Sequence, residues 1–352
     1  MNEFYKGRRV LVTGHTGFKG AWLTEWLLQM GAIVTGCSID IPTDPSLHVL
    51  LGHGQRMDDR RLDINDLAAL KKVFAQTQPE IIFHLAAQPL VRESYQTPLN
   101  TWQTNVMGTV HVLEAARASL KACTIICVTS DKCYRNQGWV HGYREEDPFG
   151  GDDPYSSSKA AAELAVHSWR RSFAVTSNLK LATVRAGNVI GGGDWAVDRI
   201  VPDCIRSLAR GEPICMRNPT ATRPWQHVLE PLSGYLLLAG KMHSSIEPCY
   251  QSAFNFGPSV QSNQCVGALV AAILKSWPGE SLTQSSPEAP KEAQLLHLNA
   301  DKAYHVLGWH PRWNFAETIQ RTVAWYRSYD SNAEPSTVLA HTIADINAYG
   351  VL

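Results

Sequence analysis

Tyr155 and Lys159 stand four residues apart in the run Tyr-Ser-Ser-Ser-Lys. On an α-helix, positions i and i+4 share one face, one above the other. A phenol with its ordinary pKa of about 10 is a poor base at neutral pH, and an ammonium held beside it favours the phenolate. The pair is therefore equipped to take a proton from an alcohol. Upstream, Thr129-Ser130-Asp131-Lys132 ends an apolar run and adds a hydroxyl, a carboxyl and an amine. Ser130 can orient the oxygen that loses its proton. The Tyr-x-x-x-Lys spacing also arises by chance, as a packed tyrosine and a solvated lysine. Here it gains meaning from what precedes it.

Thr13-Gly14-His15-Thr16-Gly17-Phe18-Lys19-Gly20 places glycines at i, i+3 and i+6. Between a strand and a helix, such glycines allow a tight turn, close backbone approach to a pyrophosphate, and close helix–strand packing. Asp40 follows 26 residues beyond Gly14. A carboxylate there accepts hydrogen bonds from both ribose hydroxyls and repels a 2′-phosphate, which favours NAD over NADP. The alternative is an ordinary turn aspartate ahead of Pro42. Asp63, before Ile64, suits either the adenine amine or the cap of a helix near Asp66.

These groups need elements to hold them. Apolar runs predict strands over residues 9–13, 32–38, 80–86, 124–129 and 180–186. Helical periodicity fits residues 17–30, 66–76 and 105–118, and a long helix lies within 153–173. The repeated strand–helix–strand order predicts an α/β fold, a Rossmann-type doubly wound parallel sheet with helices on both faces. The pattern loosens beyond about residue 186, through Gly191-Gly192-Gly193 and a series of prolines. We expect an NAD-binding domain over 1–187 and a smaller mixed α/β substrate lobe over 188–352, with segments interleaving. The Ser/Pro/Glu-rich stretch 278–291 reads as an exposed loop.

The 352 residues carry 32 Lys plus Arg against 32 Asp plus Glu, so no overall basic field invites nucleic acid. An anionic ligand must be held by a local cluster. No stretch approaches the roughly 18 apolar residues of a membrane span, and no signal-type apolar run follows the first charges. The expectation is a cytoplasmic protein. The eight cysteines (37, 123, 127, 133, 204, 215, 249, 265) lack zinc-ribbon spacing and read as buried thiols, and no metal site is expected.

TGHTGFKG, HLAAQ at 84–88, TSDK at 129–132, YSSSK at 155–159 and RAGNVIGGGDW at 185–195 together resemble the extended short-chain dehydrogenase/reductases. Within them, the longer strings AAQPLVRESY, NVMGTVH, TSDKCY, RPWQHVLEPLSGY and LGWHPRW are similar to the sugar-nucleotide 4,6-dehydratases that act on CDP-D-glucose. The likeness runs from about Lys6 to about Trp325. It implies NAD held by Gly14, Thr16, Gly17, Phe18, Gly20, Asp40, Asp63, Ile64, Leu85, Ala86, Ala87, Tyr155 and Lys159. It implies oxidation at C4 by Tyr155 and NAD, loss of water across C5 and C6, and return of the hydride to C6. Asp131 is then the acid at the C6 oxygen, which burial favours by keeping it protonated. It also implies a homodimer or a dimer of dimers. The apolar faces of residues 105–118 and 158–169 suit such contacts or the core.

One departure matters. Related dTDP-glucose dehydratases carry Glu where this chain has Lys132. A lysine serves as the C5 base only when neutral; otherwise it helps protonate the leaving hydroxyl or holds Asp131. Asn188, Arg199, Arg217 and Arg223 are the candidates for the nucleotide diphosphate, Arg217 being the one better suited to a solvated or structural role. The competing readings are a sugar-nucleotide 4-epimerase or reductase on the same scaffold, and a non-catalytic NAD-binding protein. The first needs no acid beside Ser130; the second would not need both Tyr155 and Lys159.

Overall fold

The first strand, β1 (Arg9–Thr13), is apolar on both faces: Val10 and Val12 face one side of a sheet and Leu11 the other. A parallel sheet covered on both faces demands this, since neither side can remain polar. In the computed structural model, which describes residues 2–174, 176–283, 295–329 and 335–350, β1 sits near the middle of seven strands. The others are β2 (Ile33–Ser38), β3 (Asp58–Arg61), β4 (Ile81–His84), β5 (Cys123–Val128), β6 (Leu179–Ala186) and the strand Ala253–Phe256. Their order is Ala253–Phe256, β6, β5, β4, β1, β2, β3, and every pairing is parallel. This is the expected doubly wound sheet. The strand order reverses between β1 and β4, where a crevice opens at the carboxyl ends.

One face carries the helix Phe18–Gln29, whose Trp22, Leu23 and Leu27 pack with Leu232 and Leu236 of the helix Leu229–Ser244. The other carries Leu67–Thr77, Gly108–Ala118 and Pro154–Ser172, with Leu70, Val112, Leu113 and Val166 against Leu11, Ile82 and Ile125. β3, with the sequence Asp-Asp-Arg-Arg, is the charged outer edge. Charge there discourages pairing with another sheet.

Three expectations are adjusted. The helix predicted over 105–118 is the end of a longer one that starts at Pro98, continues through a π-helical turn Gln103–Met107 and runs on to Ala118. The strand Ala253–Phe256 joins the main sheet from beyond residue 187. Within the expected loop 278–291, Ser281–Thr283 pairs with Ile214–Met216, and residues 284–291 lie outside the described residues. The C-terminal part adds short strand pairs, Val189–Ile190 with Gln226–His227 and Thr222–Pro224 with Asn263–Cys265, and buries Trp225, Trp309 and Trp325 in the larger core. Among the described residues no helix is long and apolar enough to cross a membrane.

Candidate active site

The glycine turn lies at the crevice. Gly14 has φ +74°, and a Cβ there would stand 2.6 Å from the backbone nitrogen of Ala86. At Gly20 a Cβ would fall 2.1 Å from the Gly14 carbonyl oxygen, so no side chain can occupy the first turn of the helix at that point. Gly17 is the N-cap; a Cβ there would meet only the Gly14 oxygen, at 3.5 Å, and no side chain caps the helix. Uncapped helix N-termini are suited to anions, and the turn fits a dinucleotide pyrophosphate. His84 locks the turn from beneath. Its Nδ1 lies 2.7 Å from Thr13 Oγ1 and its Nε2 3.0 Å from Thr109 Oγ1, and burial pushes the imidazole down to about 3.

Asp40 is exposed just past β2, and Thr16 Oγ1 donates to its carbonyl at 2.7 Å. Asp63 Oδ1 accepts from the Asn65 N–H, while Asp66 is the actual helix cap, accepting from the Ala69 N–H. The Ile64 side chain is buried against Gly108. Phe18 packs towards Gly191. Leu85, Ala86 and Ala87 are half-buried after β4. The following Gln88 exchanges hydrogen bonds with Asn105, whose Nδ2 also donates to Ser158 Oγ at 2.9 Å. Asn105 lies in the π turn, a feature common at functional sites.

The helix Pro154–Ser172 carries the reactive pair. Asp153 caps it by accepting from the Ser156 N–H, and Pro154 supplies a φ suited to its first position. Tyr155 and Lys159 both lie on its buried face. Burial pushes the Tyr155 phenol up to about 12, against a hydrogen bond with Ser130 that lowers it. Burial also lowers the Lys159 ammonium to about 8, and Lys159 Nζ donates to the Val128 carbonyl at 3.4 Å. The expected depression of the phenol is thus outweighed: both groups are buried, and both lose the solvation of their charged forms. Ser130 and Asp131 are nearly fully buried, and Ser130 Oγ donates to Asp131 Oδ1 at 3.0 Å. Lys132 Nζ stands 3.9 Å from the same oxygen, with its side chain 36 % exposed.

The diphosphate candidates divide. Arg199 is bound to Asp194 at 2.8 Å and acts electrostatically on Tyr155. Asn188 follows Gly187, which lies against Asp131, and Pro224, beside Arg223, lies against Gly187. Arg217 is exposed and pairs with Asp198 at 3.4 Å.

One residue was missed. Lys19, on the first turn of the helix Phe18–Gln29, feels the charges of Asp131, Lys159 and Arg199, and burial lowers its ammonium to about 8. A signal existed: a lysine in a first helical turn opposes the helix dipole, so something else must favour it. His15, His48 and Asp59 also bring potential metal-ligating atoms together, within 4.8 Å of one another. Arg61 fills that place, with bonds to both Asp59 oxygens, and stands 3.5 Å from each imidazole Nε2. Beneath Lys159, Glu163 pairs with Arg185.

Residues 11–322 match the family model described as GDP-mannose 4,6 dehydratase. A CDP-glucose 4,6-dehydratase of Salmonella typhimurium is 47% identical over 333 residues, covering 93% of this chain and 92% of that protein. Two solved structures share the fold. One is a dTDP-glucose 4,6-dehydratase from Bacillus anthracis in complex with NAD, with TM-score 0.77, 20% identity, and 94% of this chain and 99% of that chain covered. The other is a Thermus thermophilus UDP-glucose 4-epimerase complex with NAD, with TM-score 0.78, 21% identity, and 92% of this chain and 100% of that one covered.

Proposed function

This chain belongs to the GDP-mannose 4,6-dehydratase family, and from that premise we infer a sugar-nucleotide 4,6-dehydratase that converts CDP-D-glucose to CDP-4-keto-6-deoxy-D-glucose with NAD. The observation that carries the substrate is the 47% identity, over 93% of the chain, to the Salmonella CDP-glucose 4,6-dehydratase. The cradle around Gly14, Gly17 and Gly20 supports the cofactor, with Asp40 at the ribose favouring NAD over NADP. Thr16, Phe18, Asp63, Ile64, Leu85, Ala86 and Ala87 border it. Bound NAD supplies the hydride acceptor for C4 and the donor for C6.

The chain's own groups move the protons. Tyr155 takes the proton of the C4 hydroxyl, with Ser130 hydrogen-bonded to its phenol and Lys159 on the same buried helix face. The C4 ketone acidifies C5–H. Asp131 gives its proton to the C6 oxygen, the C6–O bond breaks, and water leaves. A base removes the C5 proton, and Lys132, whose Nζ stands 3.9 Å from Asp131 Oδ1, is the candidate for it. The C5–H electrons form the C5–C6 double bond, and C5 is reprotonated when C6 takes hydride. Arg199, Arg223 and Asn188 face the nucleotide diphosphate, and Arg217 lies at its outer margin. Of the eight cysteines expected to be buried, Cys215 and Cys249 are exposed and Cys265 half-buried; the other five are buried thiols, which supports a reducing, cytoplasmic setting. Exposed Leu99, Trp102, Met107 and Leu164, on the helices spanning 98–118 and 154–172, support a homodimer through those faces.

A panel of CDP-, dTDP-, UDP- and GDP-linked hexoses with NAD, read by mass spectrometry, tests this reading. Loss of one water from CDP-glucose in preference to the others is the expected result. Isomerisation without loss of mass means an epimerase, and no change across the panel means a binding protein.

A further inference from the structure

Asp131 is 2 % exposed, yet its two carboxyl oxygens are treated differently. Oδ1 accepts from Ser130 and has Lys132 near it. Oδ2 is buried and has no hydrogen-bond partner among the described residues. A carboxyl oxygen left so in a packed interior is costly, and such exceptions need a reason.

Gly187, just past β6, lies against this oxygen. A Cβ at Gly187 would stand 3.0 Å from Asp131 Oδ2 and 3.1 Å from Pro224 Cγ, both closer than ordinary contact. Gly187 is not among the residues of positive φ, so the backbone does not call for glycine here. Space alone does. Of the two neighbours, the ring of Pro224 is the rigid one; it is buried in the strand Thr222–Pro224, paired to Asn263–Cys265. A side chain at 187 would therefore press on the carboxyl, which must give by a few tenths of an ångström and so move against its bond to Ser130.

We infer that Gly187 is a positioning residue for the elimination step. By presenting no side chain, it lets Asp131 keep its Ser130 bond on Oδ1 while Oδ2 stays unpaired for the proton that goes to the C6 oxygen. This rests on Asp131 being the acid, as proposed above.

The test compares Gly187→Ala, Asp131→Asn and the unaltered enzyme, with NAD and CDP-glucose, in single turnovers. Absorbance of the reduced cofactor reports C4 oxidation, and quenched mass spectrometry reports water loss. In Gly187→Ala, elimination slows about 10- to 100-fold, the scale of a small misplacement, while C4 oxidation changes less than about 2-fold. Adding Pro224→Ala to Gly187→Ala frees the other side and restores part of the elimination rate. If the single variant melts early, the double variant carries the test: elimination nearer the unaltered rate is expected, and a rate as slow as that of Asp131→Asn overturns the inference. Normal elimination in Gly187→Ala, beside slow elimination in Asp131→Asn, overturns the role of Gly187 alone. Equal slowing of both steps in Gly187→Ala also overturns it. Normal elimination in Asp131→Asn removes the acid assignment, and the inference with it.

Discussion

Glu163 and Asp131 have side chains only 3 % exposed, and both lie by the helix Pro154–Ser172, but they are partnered in opposite ways. Glu163 Oε1 accepts from Thr129 and from Arg185 Nε; Oε2 accepts from Thr183 and from the Arg185 guanidinium at 2.8 Å. Arg185 Nη1 donates to Tyr134 and to the Glu145 carbonyl. Every charge there has its partner, and the carboxyl of Glu163 is held below the usual range, chiefly by Arg185 against the penalty of burial. Asp131 has one paired oxygen and one without a partner. A satisfied buried pair fixes the end of a sheet. A half-satisfied buried carboxyl keeps one acceptor free for another group.

Breaking the satisfied pair should have the largest effect, and it should fall on stability. Arg185→Leu leaves Glu163 buried without its counter-charge, at a cost of about 3–5 kcal/mol, the range for a buried pair that loses one partner. A urea titration reads it as a lowered midpoint. A loss under about 1 kcal/mol would mean that Glu163 reaches solvent, and the contrast would lapse.

Asp131→Asn should do the reverse. Elimination should slow by about 100-fold or more, the scale for a lost general acid, while the urea midpoint stays put or rises. A large loss of stability would move Asp131 into the structural class.

The smallest effect is on pH. Lys159, lowered by burial to about 8, keeps its charge below that value and loses it above. Turnover should therefore fall as pH rises through about 8. Between about 8 and the ordinary 10.5, the unfolded chain binds this proton more tightly, so the same group's contribution to stability rises. Parallel pH series of initial rate and urea midpoint should slope in opposite directions there. Two curves that fall together would contradict the buried-ammonium assignment.

Much of this was legible in the sequence because it repeats at short range. β1 was read to the residue, and β2, β5 and β6 within about a residue, because covered strands are apolar runs. β3 escaped because Asp-Asp-Arg-Arg carries no such signal, and Ala253–Phe256 because four residues in a proline-rich region resemble any loop. Tyr155, Lys159 and Ser130 were singled out by motif order, and Asp131 by the family resemblance. That burial raises the Tyr155 phenol was not legible, since depth is a property of the packed chain. Lys19 and Gly187 were overlooked for a similar reason: their partners come from other elements, and only the fold brings them to Asp131.

The central claim is that oxidation, water loss and reduction occur on one sugar with one cofactor. CDP-glucose deuterated at C4, turned over in ordinary water, tests it directly. The account predicts product carrying deuterium at C6 and solvent hydrogen at C5, with no net accumulation of reduced cofactor. Deuterium lost to water, or reduced cofactor rising with each turnover, would contradict it.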